Sequence, residues 1–176
     1  MKLSNIMSRR NRILLRELVI TDFKLRYQGS VLGYAWSLLK PLFLFAIMYI
    51  VFANFLRVGD SVEYFGVYLL LGIVFWTFFT EATNQGLASI VRQADLIRKI
   101  NFPKYIIVIS GSLSAFINLL INLVVIIVFV IIAGVPRHAS LLLFPLYIIE
   151  LYVLALALAF ILSTVYVKYR DISHIW

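Results

Sequence analysis

The chain has 176 residues, 63% of them hydrophobic and 14% charged, with a mean hydropathy of +1.00; soluble domains run near half apolar and a quarter charged. Those proportions describe a membrane protein, and at this length they leave little chain for a second, water-soluble domain or a self-contained enzyme. With no cysteine and only two histidines, His138 and His174, disulfide scaffolds, thiolate zinc sites and cysteine nucleophiles are excluded, while the formal charge of +8 lies beside apolar runs, where membrane topology accounts for it without nucleic acid.

Residues 1–33 form an N-terminal arm. Its apolar stretch from Ile13 is broken by Arg16 and Glu17, and no small-residue cleavage site follows, so it does not read as a secretory signal. From Arg10 to Tyr27 the pattern predicts a helix, with Glu17, Thr21 and Lys24 in one narrow polar stripe among Leu14, Leu15, Leu18, Val19 and Phe23. The basic cluster Arg9 to Arg16 suits an anionic leaflet. Arg16, Lys24, Arg26 and Tyr27 are the residues expected to hold the arm at the interface.

Residues 34–176 form the transmembrane domain. About 20 helical residues cross the roughly 30 Å hydrocarbon core, and four stretches suffice: 34–56, 62–83, 105–133 and 141–167. The expected fold is an all-α, polytopic membrane helical bundle of four transmembrane helices, with an interfacial amphipathic helix before them and a further helix in the loop 84–104. Lys40 interrupts the first span, where its stem can carry the ammonium to the headgroups, and Pro41 is expected near the helix start. Eight Lys and Arg precede the apolar run of the first span, four lie in the loop 84–104 and two in the tail, against Arg57 and Arg137 alone in the other two loops. That asymmetry predicts both termini and the middle loop in the cytoplasm.

Within the spans, Glu81 is expected near the cytoplasmic end of the second, paired or snorkelling at the interface, and Glu150 deeper in the fourth, as a proton relay or a carboxylate bonded inside the bundle. Gly111, Ala115, Asn118 and Asn122 recur at three-to-four-residue spacing in the third span, the pattern of a helix-packing seam with a polar path as the alternative. Aromatic residues make up 15% of the chain. Tyr34, Trp36, Tyr49, Phe75, Trp76 and Phe79 are candidates to line a glycan path, because sugar rings stack on aromatic faces, although Tyr and Trp also belt membrane interfaces.

No glycine is followed by lysine, so the phosphate loop G-x-x-x-x-G-K-[ST] is absent. The chain reads as a non-enzyme with no cofactor, and uphill transport would draw its energy from another subunit. The middle loop carries the best candidate docking surface: a short helix with Arg92, Asp95, Leu96, Arg98 and Lys99, then Ile100 and a stop at Phe102-Pro103, with Leu96, Ile97 and Ile100 expected exposed between charges.

Three segments together resemble the permease subunits of ATP-binding-cassette exporters of the polysaccharide type, which export O-antigen, capsule or teichoic acid chains. They are Asp22 to Leu42, through Arg26, Tyr27, Gly29, Ser30, Leu32, Gly33, Trp36 and Pro41; the loop ending Ile100 to Tyr105; and Val167 to Ile175 after the fourth span. The resemblance implies a permease homodimer in the bacterial inner membrane, joined to two copies of a separate ATPase and moving a lipid-linked glycan between permease halves. It also implies that the arm and the segment Arg92 to Pro103 transmit ATPase closure. Such permeases usually continue past Tyr169-Arg170-Asp171 into two further spans, so a sequence stopping at Trp176 reads as about two-thirds of one. Two other readings compete: a small four-span proton-coupled carrier, resting on Glu150, and a non-transport membrane anchor for a glycan-synthesis complex, resting on the basic arm.

Overall fold

The computed structural model describes residues 9–27, 29, 32–56, 62–136 and 139–176, and of Tyr27, Tyr34, Asn54 and Ser140 the backbone alone. Arg57, Arg137 and His138 fall outside these residues, as do Lys2 and Ser30 and the side chains of Tyr27 and Tyr34. Among the described residues seven α-helices follow one another: α1 (Arg9–Tyr27), α2 (Trp36–Tyr49), α3 (Phe65–Arg92), α4 (Ala94–Lys99), α5 (Tyr105–Ile132), α6 (Phe144–Lys168) and α7 (Ile172–Ile175). No strand occurs among the described residues. Among the described residues four segments are long and apolar enough to span a membrane: Trp36–Ala53, Phe65–Arg92, Tyr105–Ile132 and Leu141–Lys168. The expected polytopic helical bundle is therefore the observed one.

Helix α3 differs from expectation in length. It runs nine residues past 83, ending at Arg92, because Glu81, Asn84 and Gln85, which break the apolar pattern, are all good enough helix residues to continue it. Arg92 thus closes the second span, and the loop helix α4 is a separate turn and a half. At 28 residues and about 1.5 Å per residue, α3 is about 42 Å long and must tilt or project beyond the hydrocarbon. Glu81 lies eleven residues before its end, about 16 Å inside the helix rather than one turn from it.

The core forms where α3, α5 and α6 pack together, and small residues set its spacing. Ala82, Ala115, Ala155 and Ala159 are wholly buried. A Cβ on Gly86 would lie 2.3 Å from the Cβ of Ala159, so α3 and α6 approach to a distance only glycine permits. Ala82 and Gly86, Gly111 and Ala115, and Ala155 and Ala159 each stand four apart, giving every core helix one small-residue stripe. Leu70, Val74, Phe78, Leu119, Ile126 and Ile148 fill the rest. Buried hydroxyls are satisfied within their own helices: Ser110 donates to the Ile107 carbonyl at 2.8 Å, Ser114 to Ser110 at 3.0 Å and Ser163 to Phe160 at 2.9 Å, which permits burial without a partner from elsewhere.

Helix α2 lies against α3 and α5, with Leu42 and Phe45 on the core and a π-helical turn, Ile50–Phe55, extending it. Pro41 is its sixth residue, well inside rather than at the start. Before α2, Gly29 and Gly33 have φ values of 81° and 47°, which favour glycine; these are two of the residues on which the family resemblance rests. Helix α5 ends in a Schellman turn, with Gly134 at φ 65°, its N–H on the Ile131 carbonyl and the Val135 N–H on that of Val130.

The predicted arm helix is α1. Its polar stripe of Glu17, Thr21 and Lys24 is exposed, and Leu18, with Leu14 and Leu15 beside it, packs on Ile106 and Ile107 at the start of α5.

Candidate functional site

At the end of the bundle that carries the arm, polar side chains from α1, α3 and α5 converge on Glu81. Arg26, in the last turn of α1, forms an ion pair with Glu81 Oε1, and both side chains are about a quarter exposed or less. Asn118 of α5 donates its amide to Glu81 Oε2 at 2.8 Å, and Gln85, one turn along α3, donates to Oε1 at 3.1 Å. A carboxylate held by three donors is a stable anion in apolar surroundings. The network continues inward: Asn122 donates to the Asn118 carbonyl at 2.9 Å and to the Ser37 carbonyl of α2 at 3.3 Å.

The third-span stripe is thus a packing seam with a polar function. Gly111 faces Gln85 across the seam, where a Cβ would lie at ordinary contact distance, 3.5 Å from the Gln85 Cβ, and the two asparagines bind α5 to α3 and α2. The sequence supplied Glu81 as a paired or snorkelling carboxylate; its cationic partner comes from the arm, a helix expected at the membrane interface. Gln85 and Ser37 are the participants that sequence reasoning missed.

This cluster forms one wall of a cavity of about 500 Å³, which Trp36, Lys40, Thr80, Asn84 and Arg92 also line. Arg92 Nη2 stands 3.6 Å from Asp22 of the arm. Burial pushes the Asp22 carboxyl above its ordinary value, and the nearby guanidinium groups of Arg92 and Arg26 offset only part of that rise.

The arm also grips the middle loop. Leu96, Ile97, Phe102 and Tyr105 pack with Leu18, Ile106 and Ile107, and Arg10 Nη2 donates to the Asn101 carbonyl at 3.0 Å. Leu96 and Ile97, expected exposed, are therefore half-buried against the arm, which supplies the apolar partner that the loop itself lacks. Pro103 is half-buried as well. Asp95, Arg98, Lys99 and Ile100 remain exposed, forming a charged edge with one apolar residue, Ile100 at 41%. Of the other expected arm residues, Arg16 and Lys24 are exposed.

The aromatic candidates do not gather along one path within this chain. Trp36 lines the cavity at the arm end, whereas Tyr49 lines a second cavity of about 570 Å³ at the opposite end with Phe45, Phe65 and Phe129. Phe75 stacks on Phe144 of α6 at 5.9 Å, in the core. Trp76 is 66% exposed and stacks on Phe79 at 6.0 Å; Phe79 in turn meets the Trp176 ring, whose indole N–H donates to Thr83 at 3.1 Å. Glu150 is exposed six residues into α6 and lines neither cavity. It points away from the bundle rather than into a bonded position inside it.

Comparison with known proteins places this architecture. The O-antigen export system permease protein RfbA of Klebsiella pneumoniae is 31% identical over 153 residues, covering 86% of this chain and 58% of that protein. The O-antigen export system permease protein RfbA of Myxococcus xanthus is 28% identical over 162 residues, 92% of this chain and 62% of its own length. The chain therefore spans about three-fifths of the length of these relatives. A family model described as ABC-2 type transporter matches residues 13–176, through the arm, all four spans and the tail, and the chain belongs to that family of membrane proteins.

Proposed function

We propose that this chain is the membrane-spanning part of a permease subunit in an ATP-driven exporter of a lipid-linked polysaccharide, of the O-antigen, capsule or teichoic acid kind. The observation that carries the reading is the match of residues 13–176 to the ABC-2 family, joined to relatives named for O-antigen export. ATP hydrolysis belongs to a separate ATPase, bound in two copies to a permease homodimer in the bacterial inner membrane. Both termini and the middle loop face the cytoplasm, a reading supported by fourteen of sixteen Lys and Arg on that side. The ATPase meets the charged edge of Asp95, Arg98, Lys99 and Ile100, and the arm packed on that loop carries its motion to α5 and, through Arg26, to α3.

The test is genetic and biochemical. In-frame deletion of the coding sequence removes the surface glycan and a plasmid copy restores it, while affinity purification in mild detergent recovers an ATPase with a phosphate loop. A deletion strain with unchanged surface glycan, and a purified chain with no such ATPase, rejects the reading.

A further inference from the structure

Three cations from three helices close on the cavity at the arm end: Arg26 of α1, Lys40 of α2 and Arg92 of α3. Glu81 is the one carboxylate in its lining, and it is engaged with Arg26. Even with Asp22 counted against Arg92, the cations outnumber the carboxylates by three to two. Lys40 stands apart: among the described residues no carboxylate lies within salt-bridge distance of it. A lysine in a membrane span without a counter-charge is costly unless its ammonium reaches an anion or water. Trp36 lines the same cavity, and tryptophan characteristically sits at headgroup depth. At about 500 Å³ the cavity is far larger than one small anion and falls in the size range of ligand sites, so it has room for whatever the anion is attached to.

We propose that this cavity binds a phosphate group, anchored by Lys40 and Arg92, and that the phosphate competes with Glu81 for Arg26. Several oxygens spread over a tetrahedral anion satisfy cations arriving from three directions, which a planar carboxylate cannot do as well. The exchange has a structural consequence. When Arg26 turns from Glu81 to the phosphate, the last turn of α1 loses its hold on α3, and Glu81 keeps only the amides of Asn118 and Gln85. The site needs only the residues around the cavity and stands apart from the transport reading. The phosphate comes either from a lipid headgroup or from solution.

Native mass spectrometry of the full chain in detergent tests this, with phosphatidic acid, phosphatidylcholine and inorganic phosphate as probes. Phosphatidic acid is expected to bind about tenfold more tightly than phosphatidylcholine, and the double variant Lys40→Gln/Arg92→Gln to lose about tenfold, the scale of one charge-assisted contact. Glu81→Gln frees Arg26 and tightens phosphatidic acid binding several-fold, a gain that misfolding does not imitate. Competition by millimolar inorganic phosphate assigns the site to soluble phosphate; retention of the lipid against it assigns the site to a headgroup. Equal binding of the two lipids overturns the proposal. So does an equal loss in Arg9→Gln/Arg12→Gln, exposed on the arm away from the cavity, since that makes the overall charge responsible. Weaker binding in Glu81→Gln overturns the competition.

Discussion

Asn122 donates its side-chain amide to the backbone carbonyl of Ser37 at 3.3 Å, and Ser37 stands four residues before Pro41, so this is the carbonyl to which proline brings no helical N–H. The third span supplies the donor that the first span's own sequence withholds. Pro41 can thus occupy a helix interior, and α2 is tied to the core at the point where it is weakest. Replacing Asn122 by alanine is expected to cost about 1 kcal/mol, the scale of one lost hydrogen bond. In Pro41→Ala, which restores the helical N–H, the same replacement costs less. Unfolding in detergent of the two single variants and the double variant measures the coupling; additivity would show that the two residues act independently.

The approach of α3 to α6 gives a second prediction. A Cβ at Gly86 meets Ala159 at 2.3 Å, so Gly86→Ala forces the helices apart. Overpacking of this kind costs about 1–3 kcal/mol, against which alanine's better helix propensity returns about 1 kcal/mol. A net loss of melting temperature in Gly86→Ala, recovered in Gly86→Ala/Ala159→Gly, is expected. A Gly86→Ala chain as stable as the parent would mean that the helices are free to separate.

The middle loop separates packing from docking. Leu96 packs with Leu18 and Ile107, so Leu96→Asp lowers the stability of the isolated chain and exposes the arm to protease. Arg98 and Lys99 are exposed, and Arg98→Glu/Lys99→Glu is expected to change stability by no more than about 0.5 kcal/mol. Under the permease reading, that charge reversal nonetheless abolishes co-purification of the ATPase. Association surviving the charge reversal places the docking surface elsewhere.

Asp22 predicts a pH dependence whose sign is the reverse of an ordinary surface ion pair. Its carboxyl is raised above 3.8 because burial outweighs Arg92 and Arg26. The folded chain then binds the proton more tightly than the unfolded chain, so the Asp22 contribution is fully present below 3.8 and is lost as pH rises through the elevated folded value. Asp22→Asn removes that dependence. The stability of the variant relative to the parent should therefore grow between acid and neutral pH; a difference that shrinks would mean that the Arg92 pair dominates.

Much of this was legible in the sequence because lipid imposes strong rules. Four apolar stretches gave four spans, the stripe of Gly111, Ala115, Asn118 and Asn122 gave the seam, and the spacing of Leu14, Leu15 and Leu18 gave the arm helix. What escaped were relations between segments. The length of α3 depended on Glu81 and Gln85 finding polar company inside the bundle, which no single-helix pattern reveals. The pairing of Arg26 with Glu81 spans 55 positions of sequence, a separation that no local pattern bridges. Leu96 and Ile97 read as exposed because their apolar partner lies in a helix about 80 residues earlier.

The serines and threonines of the core spend their hydroxyls on the carbonyls of their own helices, and the gap left beside Pro41, Glu81 and Asn122 is only about 10 Å³, space for a single water molecule at most. The common centre of the described helices is accordingly closely packed. Under the permease reading, the surfaces of these four spans left to meet a hydrophilic solute are their outward faces, and variants that change its selectivity are to be sought there and not in their common centre.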